Sequence, residues 1–176
     1  PSETRLWFRT AGGELFHRSP ADALCLLDEP SVETDAVETH LVAAILAVMP
    51  ENVRDVRLTL REEAISGAAY RYVHGLRQHR GNCQRIAHGH RSRIHVFRDG
   101  ERSEPHERWI ADRWRDVYLG CRADLQSEVE RDGEPCYRFR YQAAQGEFEL
   151  VIPKSRCDLL ETESTVECIA AHLAEV

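Results

Sequence analysis

Apolar and polar residues alternate over residues 69–76, which places Tyr70, Tyr72 and His74 on one face of a strand. The alternation returns over residues 88–98, with His88, His90, Ser92, Ile94 and Val96 sharing a face. A polar loop over residues 77–84 joins the two runs, and Asp99-Gly100 is a strong turn signal behind the second. Ile110, Trp114, Val117, Tyr118 and Cys121 then recur at helical spacing and predict an amphipathic helix packed on the sheet. Residues 137–141 and 148–151 read as a further hairpin. Upstream, the pattern predicts a strand near residues 6–9 and a helix from Asp35 through Val37, Leu41, Ala44, Ile45 and Val48, closed by Pro50. A half-buried strand carrying Val56, Leu58 and Leu60 follows. Together these elements predict an α+β fold of paired antiparallel strands with helices on one face.

Part of this pattern occurs twice. Gly13, Glu14, Pro20 and Leu26-Leu27-Asp28 reappear 133 residues later as Gly146, Glu147, Pro153 and Leu159-Leu160-Glu161. A helix start follows each copy, Asp35 with Glu38 and Ser164 with Glu167, and both fit a capping box. The repeat predicts duplicated units: residues 1–64 as the C-terminal half of a first, and 65–176 as a second that stops before its last strand.

Composition narrows the classes open to the chain. Its 176 residues, 42% hydrophobic and 30% charged, suit one or two globular cores. No apolar run approaches the ~20 residues that span a bilayer, so no membrane role is expected. Six scattered cysteines without CxxC pairs favour free thiols and a cytoplasmic setting. A net charge of −7 argues against nucleic-acid binding. Against that balance, residues 74–98 hold six arginines and no acid. Such a segment suits a small anionic ligand such as a phosphate ester, with Arg85 a candidate contact; a solvated strand face is the plainer alternative.

The candidate chemistry lies in the same segment. His74 ends one strand, and His88 and His90 share a face of the next, so three imidazoles can meet one divalent ion. All-nitrogen coordination favours Zn2+, and three protein ligands leave a fourth position for water or substrate. Gly89 between the pair would let a neighbouring group approach closely. His79, in the loop, and His95, of the wrong parity, read as structural or surface residues. Cys83 lies in the loop between Arg80 and Arg85, which favours a thiolate. It is open as a catalytic group, as a fourth metal ligand or as an inert small hydrophobe.

A strand histidine, a loop cysteine and His-Gly-His on the next strand resemble the 6-pyruvoyl-tetrahydropterin synthase family, whose bacterial branch includes the 6-carboxytetrahydropterin synthases of queuosine biosynthesis. The resemblance extends to Leu58-Thr59-Leu60-Arg61-Glu62, similar to the strand whose glutamate anchors the pterin, and to Ser164 through Glu167, similar to a Pro-Thr-x-Glu element. It is nearest to a long bacterial subgroup with tandem tunnelling-fold units. The family implies a tunnelling fold that closes into a barrel as a homo-oligomer, zinc on His74, His88 and His90, and Cys83 as the proton-transferring thiol. It further implies an anionic pterin substrate such as dihydroneopterin triphosphate, with Glu62, Arg85 and Glu167 as candidate substrate contacts. Two features depart from it: Cys83 precedes His88 by five residues rather than four, and Ser155-Arg156-Cys157-Asp158-Leu159 stands where the family carries an Asp-His relay. A pterin- or purine-binding protein without turnover, and a GTP cyclohydrolase-like zinc hydrolase, are therefore the alternative expectations.

Overall fold

The computed structural model describes residues 2–10, 12–27, 33–61 and 64–176. They form two compact units, one made of Pro1–Leu24 with Ile65–Val176 and the other of Cys25–Ala64. The first unit contains β1 (Glu3–Thr10) and β2 (Gly13–Pro20), while the second contains α1 (Thr34–Leu46). The first unit continues with β3 (Ala69–His74), β4 (His88–Arg93), the short β5 (Phe97–Arg98) and β6 (Glu101–Arg102), and α2 (Glu104–Arg113). It is completed by β7 (Arg115–Cys121), β8 (Leu125–Arg131), β9 (Glu134–Ala143), β10 (Gly146–Pro153), β11 (Cys157–Leu160) and α3 (Val166–Glu175). No helix is long and apolar enough to cross a membrane, and all six cysteines are free.

Two sheets and two helices make three layers. An antiparallel sheet runs β1-β2-β10-β9-β8, and a four-stranded sheet runs β11-β7-β3-β4. Alternation along each strand sends its side chains to opposite layers. Val73, Tyr118, Cys157 and Leu159 point from the four-stranded sheet toward Phe139, Phe148, Leu150 and Ile152 of the other. Tyr72, Leu119 and Leu160 point the opposite way, where Ile110, Ala111 and Trp114 at α2 and Ile169 of α3 cover them. α2 and α3 thus lie on one face, and the expected α+β class holds.

The hairpins β1–β2 and β9–β10 share one internal register. Glu3 faces Pro20 and Thr10 faces Gly13; 133 residues on, Cys136 faces Pro153 and Ala143 faces Gly146. The hairpins meet where His17 pairs with Leu150, its own counterpart at that offset.

Several elements differ from the sequence pattern. The expected helix carrying Ile110 through Cys121 ends at Arg113, and Val117, Tyr118 and Cys121 belong to β7. Asp116 takes a positive φ of 59°, and beyond it the chain runs extended between β3 and β11, parallel to both. The four-stranded sheet is therefore mixed. The strand expected over residues 88–98 stops at Arg93, after which Ile94 is buried and Asp99-Gly100 turns the β5–β6 hairpin, both residues at positive φ. In the second unit, Val56, Leu58 and Leu60 form no strand, because no described segment pairs with them. Asp35 makes no cap bond there; Glu33 precedes α1, and the Glu38 carboxylate instead accepts from the Leu60 amide at 2.6 Å.

Candidate metal centre

The site is built by the register of β3 and β4. His74 pairs directly with His88, and Tyr72 pairs with His90, so the three histidines and Tyr72 occupy one face. Ring centroids lie 4.3 Å apart for His74–His88, 4.7 Å for His74–His90 and 5.2 Å for His88–His90. One potential ligand nitrogen from each lies within 4.8 Å of the other two, so the three could hold a single metal ion. Exposure rises across the cluster, with His74 buried, His88 half-buried and His90 exposed.

Aromatic packing backs it. Tyr72 stacks on His90 at 5.6 Å and meets His74 edge-on at 5.1 Å. Trp114 meets Tyr72 edge-on in turn and donates its indole N–H to Asp158 Oδ2 at 2.9 Å.

Hydrogen bonds and burial prepare the nitrogens. His88 Nδ1 donates to the Arg85 carbonyl at 3.2 Å, and His74 Nδ1 lies 2.7 Å from Ser164 Oγ. The Nε2 atoms of both rings are buried and have no partner among the described residues. Burial, reinforced by His88 and His90, pushes the His74 pKa down to about 3, and burial lowers that of His88 as well. Both rings are neutral near pH 7, the state in which imidazole ligates metal. Orphaned, convergent imidazole nitrogens of this kind could hold a metal ion.

The other candidate residues are less tightly assembled. Cys83 is half-buried in a 3-10 turn over Asn82–Gln84, and its sulfur is not among the clustered donor atoms. That turn is firmly held: Tyr141 donates to the Gln84 carbonyl at 2.7 Å, and Gln84 Oε1 accepts from the Gln145 amide at 3.1 Å. Arg85 reaches the Asp22 carbonyl through Nη2 at 3.5 Å, leaving its Nε buried without a partner. Glu167 is exposed in the first turn of α3, and Glu62 lies outside the described residues. Arg91 and Arg93 alternate with the histidines on β4 and so belong to the opposite face, away from a ligand at the cluster. Gly89 is not needed for space, since an added Cβ would meet only the Tyr72 carbonyl oxygen at 3.9 Å.

Ser164 is the neighbour of the cluster that the sequence pattern concealed. The expected capping box with Glu167 is shifted by one residue: Thr165 caps α3, accepting from the Cys168 amide at 3.4 Å. Two hydroxyls in succession, where a cap uses one, were the available signal. Asp158 is bound by Arg113 at 2.8 Å as well as by Trp114, and those bonds hold its pKa down against burial. No family model, curated protein or solved structure matches the chain.

Proposed function

We propose that this chain is a zinc-dependent pterin synthase or lyase of the 6-pyruvoyl-tetrahydropterin synthase type. His74, His88 and His90 hold the metal, and an anionic pterin such as dihydroneopterin triphosphate is the substrate. The convergence of three imidazoles across the β3–β4 register carries this reading. A bound zinc supplies Lewis acidity toward substrate oxygens, which eases proton loss from the adjacent carbon. Cys83 is the thiol that moves protons, and Arg85 and Glu167 contact the pterin. The matched registers of the hairpins β1–β2 and β9–β10 support a tandem tunnelling-fold design. Strands β1 and β8 end their sheet without a further partner among the described residues, which suits edge-to-edge closure in a homo-oligomer.

Metal analysis combined with turnover tests the proposal. One zinc per chain is expected, with consumption of dihydroneopterin triphosphate that disappears in Cys83→Ala. Zinc-loaded protein that leaves this substrate intact would overturn the catalytic reading.

The bonds to Asp158 favour a second reading, in which the chain holds metal and pterin without turning the ligand over. The Asp158 carboxylate serves Trp114 and Arg113 rather than a histidine relay. In that case pterin raises the melting temperature and is recovered unchanged, because a ligand selective for the folded state stabilises it.

A further inference from the structure

A neutral histidine that ligates through Nε2 must carry its proton on Nδ1, and the group bound to Nδ1 decides whether it does. For His88 the backbone decides: the Arg85 carbonyl can only accept, so Nδ1 donates and Nε2 keeps its lone pair. For His74 the close partner is a side chain, with the Ser164 backbone a second and weaker acceptor beside it. His74 Nδ1 faces the Ser164 hydroxyl at 2.7 Å, and both residues are almost wholly enclosed, at 2% and 1% exposure.

A hydroxyl can accept or donate, so the second nitrogen settles the direction. His74 Nε2 is buried without a partner, in a ring whose centroid lies 4.3 and 4.7 Å from those of His88 and His90. A proton there would be a buried donor left without an acceptor, which is unfavourable. A lone pair there joins that of His88 Nε2 in an arrangement that a cation satisfies. Thr165 caps α3, which leaves the Ser164 side chain free for this role.

We propose that Ser164 is a positioning residue: it accepts the Nδ1–H of His74 and holds that ring in the tautomer that presents Nε2 to a metal. Its purpose rests on the zinc reading above, whereas the tautomer is a property of the metal-free chain. His90 is the contrasting donor. It has no hydrogen-bond partner among the described residues and is steadied by ring packing, on Tyr72 and edge-on to His74 and His88. The centre then has two preset donors and one adjustable donor, which faces the entry side.

Long-range 1H–15N NMR of the imidazoles in metal-free protein near pH 7.5 reads the tautomers directly. The wild type is expected to show Nδ1–H at both His74 and His88. Ser164→Ala should move His74 toward Nε2–H, leave His88 unchanged, and weaken zinc binding by about 10–100-fold in a chelator competition. Ser164→Thr, which keeps the hydroxyl, should retain the wild-type His74 signature. If Ser164→Ala does not fold, Ser164→Cys offers a side chain of similar size and weak accepting power. An Nε2–H signature at His74 in the wild type overturns the proposal, as does an unchanged His74 tautomer in the folded variant. Zinc that binds neither form, with the tautomer shifting as expected, defeats the metal reading alone.

Discussion

The two strands that supply the histidines meet the candidate centre under opposite conditions. β3 lies inside its sheet, hydrogen-bonded to β4 on one side and β7 on the other, and its His74 is closed in by Tyr72 and Ser164. β4 is the sheet's edge, five of its six residues are exposed, and His90 stands in solvent. The difference separates two requirements of an open metal site. The interior strand provides the most enclosed donor, while the edge strand adds His88, held by the Arg85 carbonyl, and in His90 the access and freedom to adjust. Neither strand alone supplies all three nitrogens, and the register between them brings the enclosed and the open donors together.

Removing the backing of the interior arm should have the largest effect. Trp114 is fully buried, packs against Tyr72 and donates to Asp158. Trp114→Ala is expected to cost ~3–5 kcal/mol in urea unfolding, as large aromatic truncations in a core do. Phe139→Ala on the opposite face should cost a similar amount, since Phe139 is equally buried against Tyr118 and Tyr137. Zinc affinity of the folded fraction distinguishes them, falling in Trp114→Ala and holding in Phe139→Ala. Equal affinities in the two variants would show that the aromatic stack does not support the centre.

The ligands themselves should separate the arms at the next level. His74→Ala removes the more deeply buried of the two preset donors and is expected to abolish stoichiometric zinc binding. His90→Ala removes the adjustable donor, whose place water can take, and should leave binding weakened by about 10–100-fold, the range seen when support around a metal is trimmed. Isothermal titration with zinc measures both. The reverse ranking would mean that the edge strand, rather than the interior one, organises the site.

Much of this centre was legible in the chain because period-two alternation is a local signal. Tyr70, Tyr72 and His74 share a face, as do His88 and His90, and the residue spacing alone brings them to one side. In the hairpin β9–β10, Tyr137, Phe139 and Tyr141 alternate with Arg138 and Arg140, whereas β10 is buried from Phe148 to Pro153 and was legible only as a largely apolar run. β7 was not: Ile110, Trp114, Val117, Tyr118 and Cys121 satisfy helical spacing although the chain leaves the helix after Arg113. A strand with buried residues on both faces has no alternation to show, so its apolar positions matched the wrong period. Val56, Leu58 and Leu60 erred in the opposite sense, because alternation without a partner makes no sheet. Ser164 was hidden differently. Its identity suits a cap, and only the three-dimensional approach of β3 reveals that its hydroxyl serves His74 instead.

The smallest expected effect concerns what keeps the exposed arm in place. Beyond β4 the chain is pinned by Glu107 of α2, whose Oε1 accepts from the Val96 amide at 3.1 Å while Arg102 spans both carboxylate oxygens at 2.7 and 2.8 Å. The Arg102 hydrogen bonds, with lesser help from Val96, pull the Glu107 pKa down to about 2 from an ordinary 4.5. A carboxylate whose folded pKa is depressed contributes stability that is complete above its unfolded pKa and is lost as pH falls through the folded value. The segment after β4 should therefore stay anchored down to about pH 4.5 and loosen progressively toward pH 2. Hydrogen exchange at the Val96 amide, compared across that window, checks the prediction. Glu107→Gln should flatten the pH dependence there while leaving exchange within β3 as in the wild type. If exchange in β3 accelerates in step with Val96, the two arms open as one unit, and the contrast between a fixed strand and an adjustable one fails.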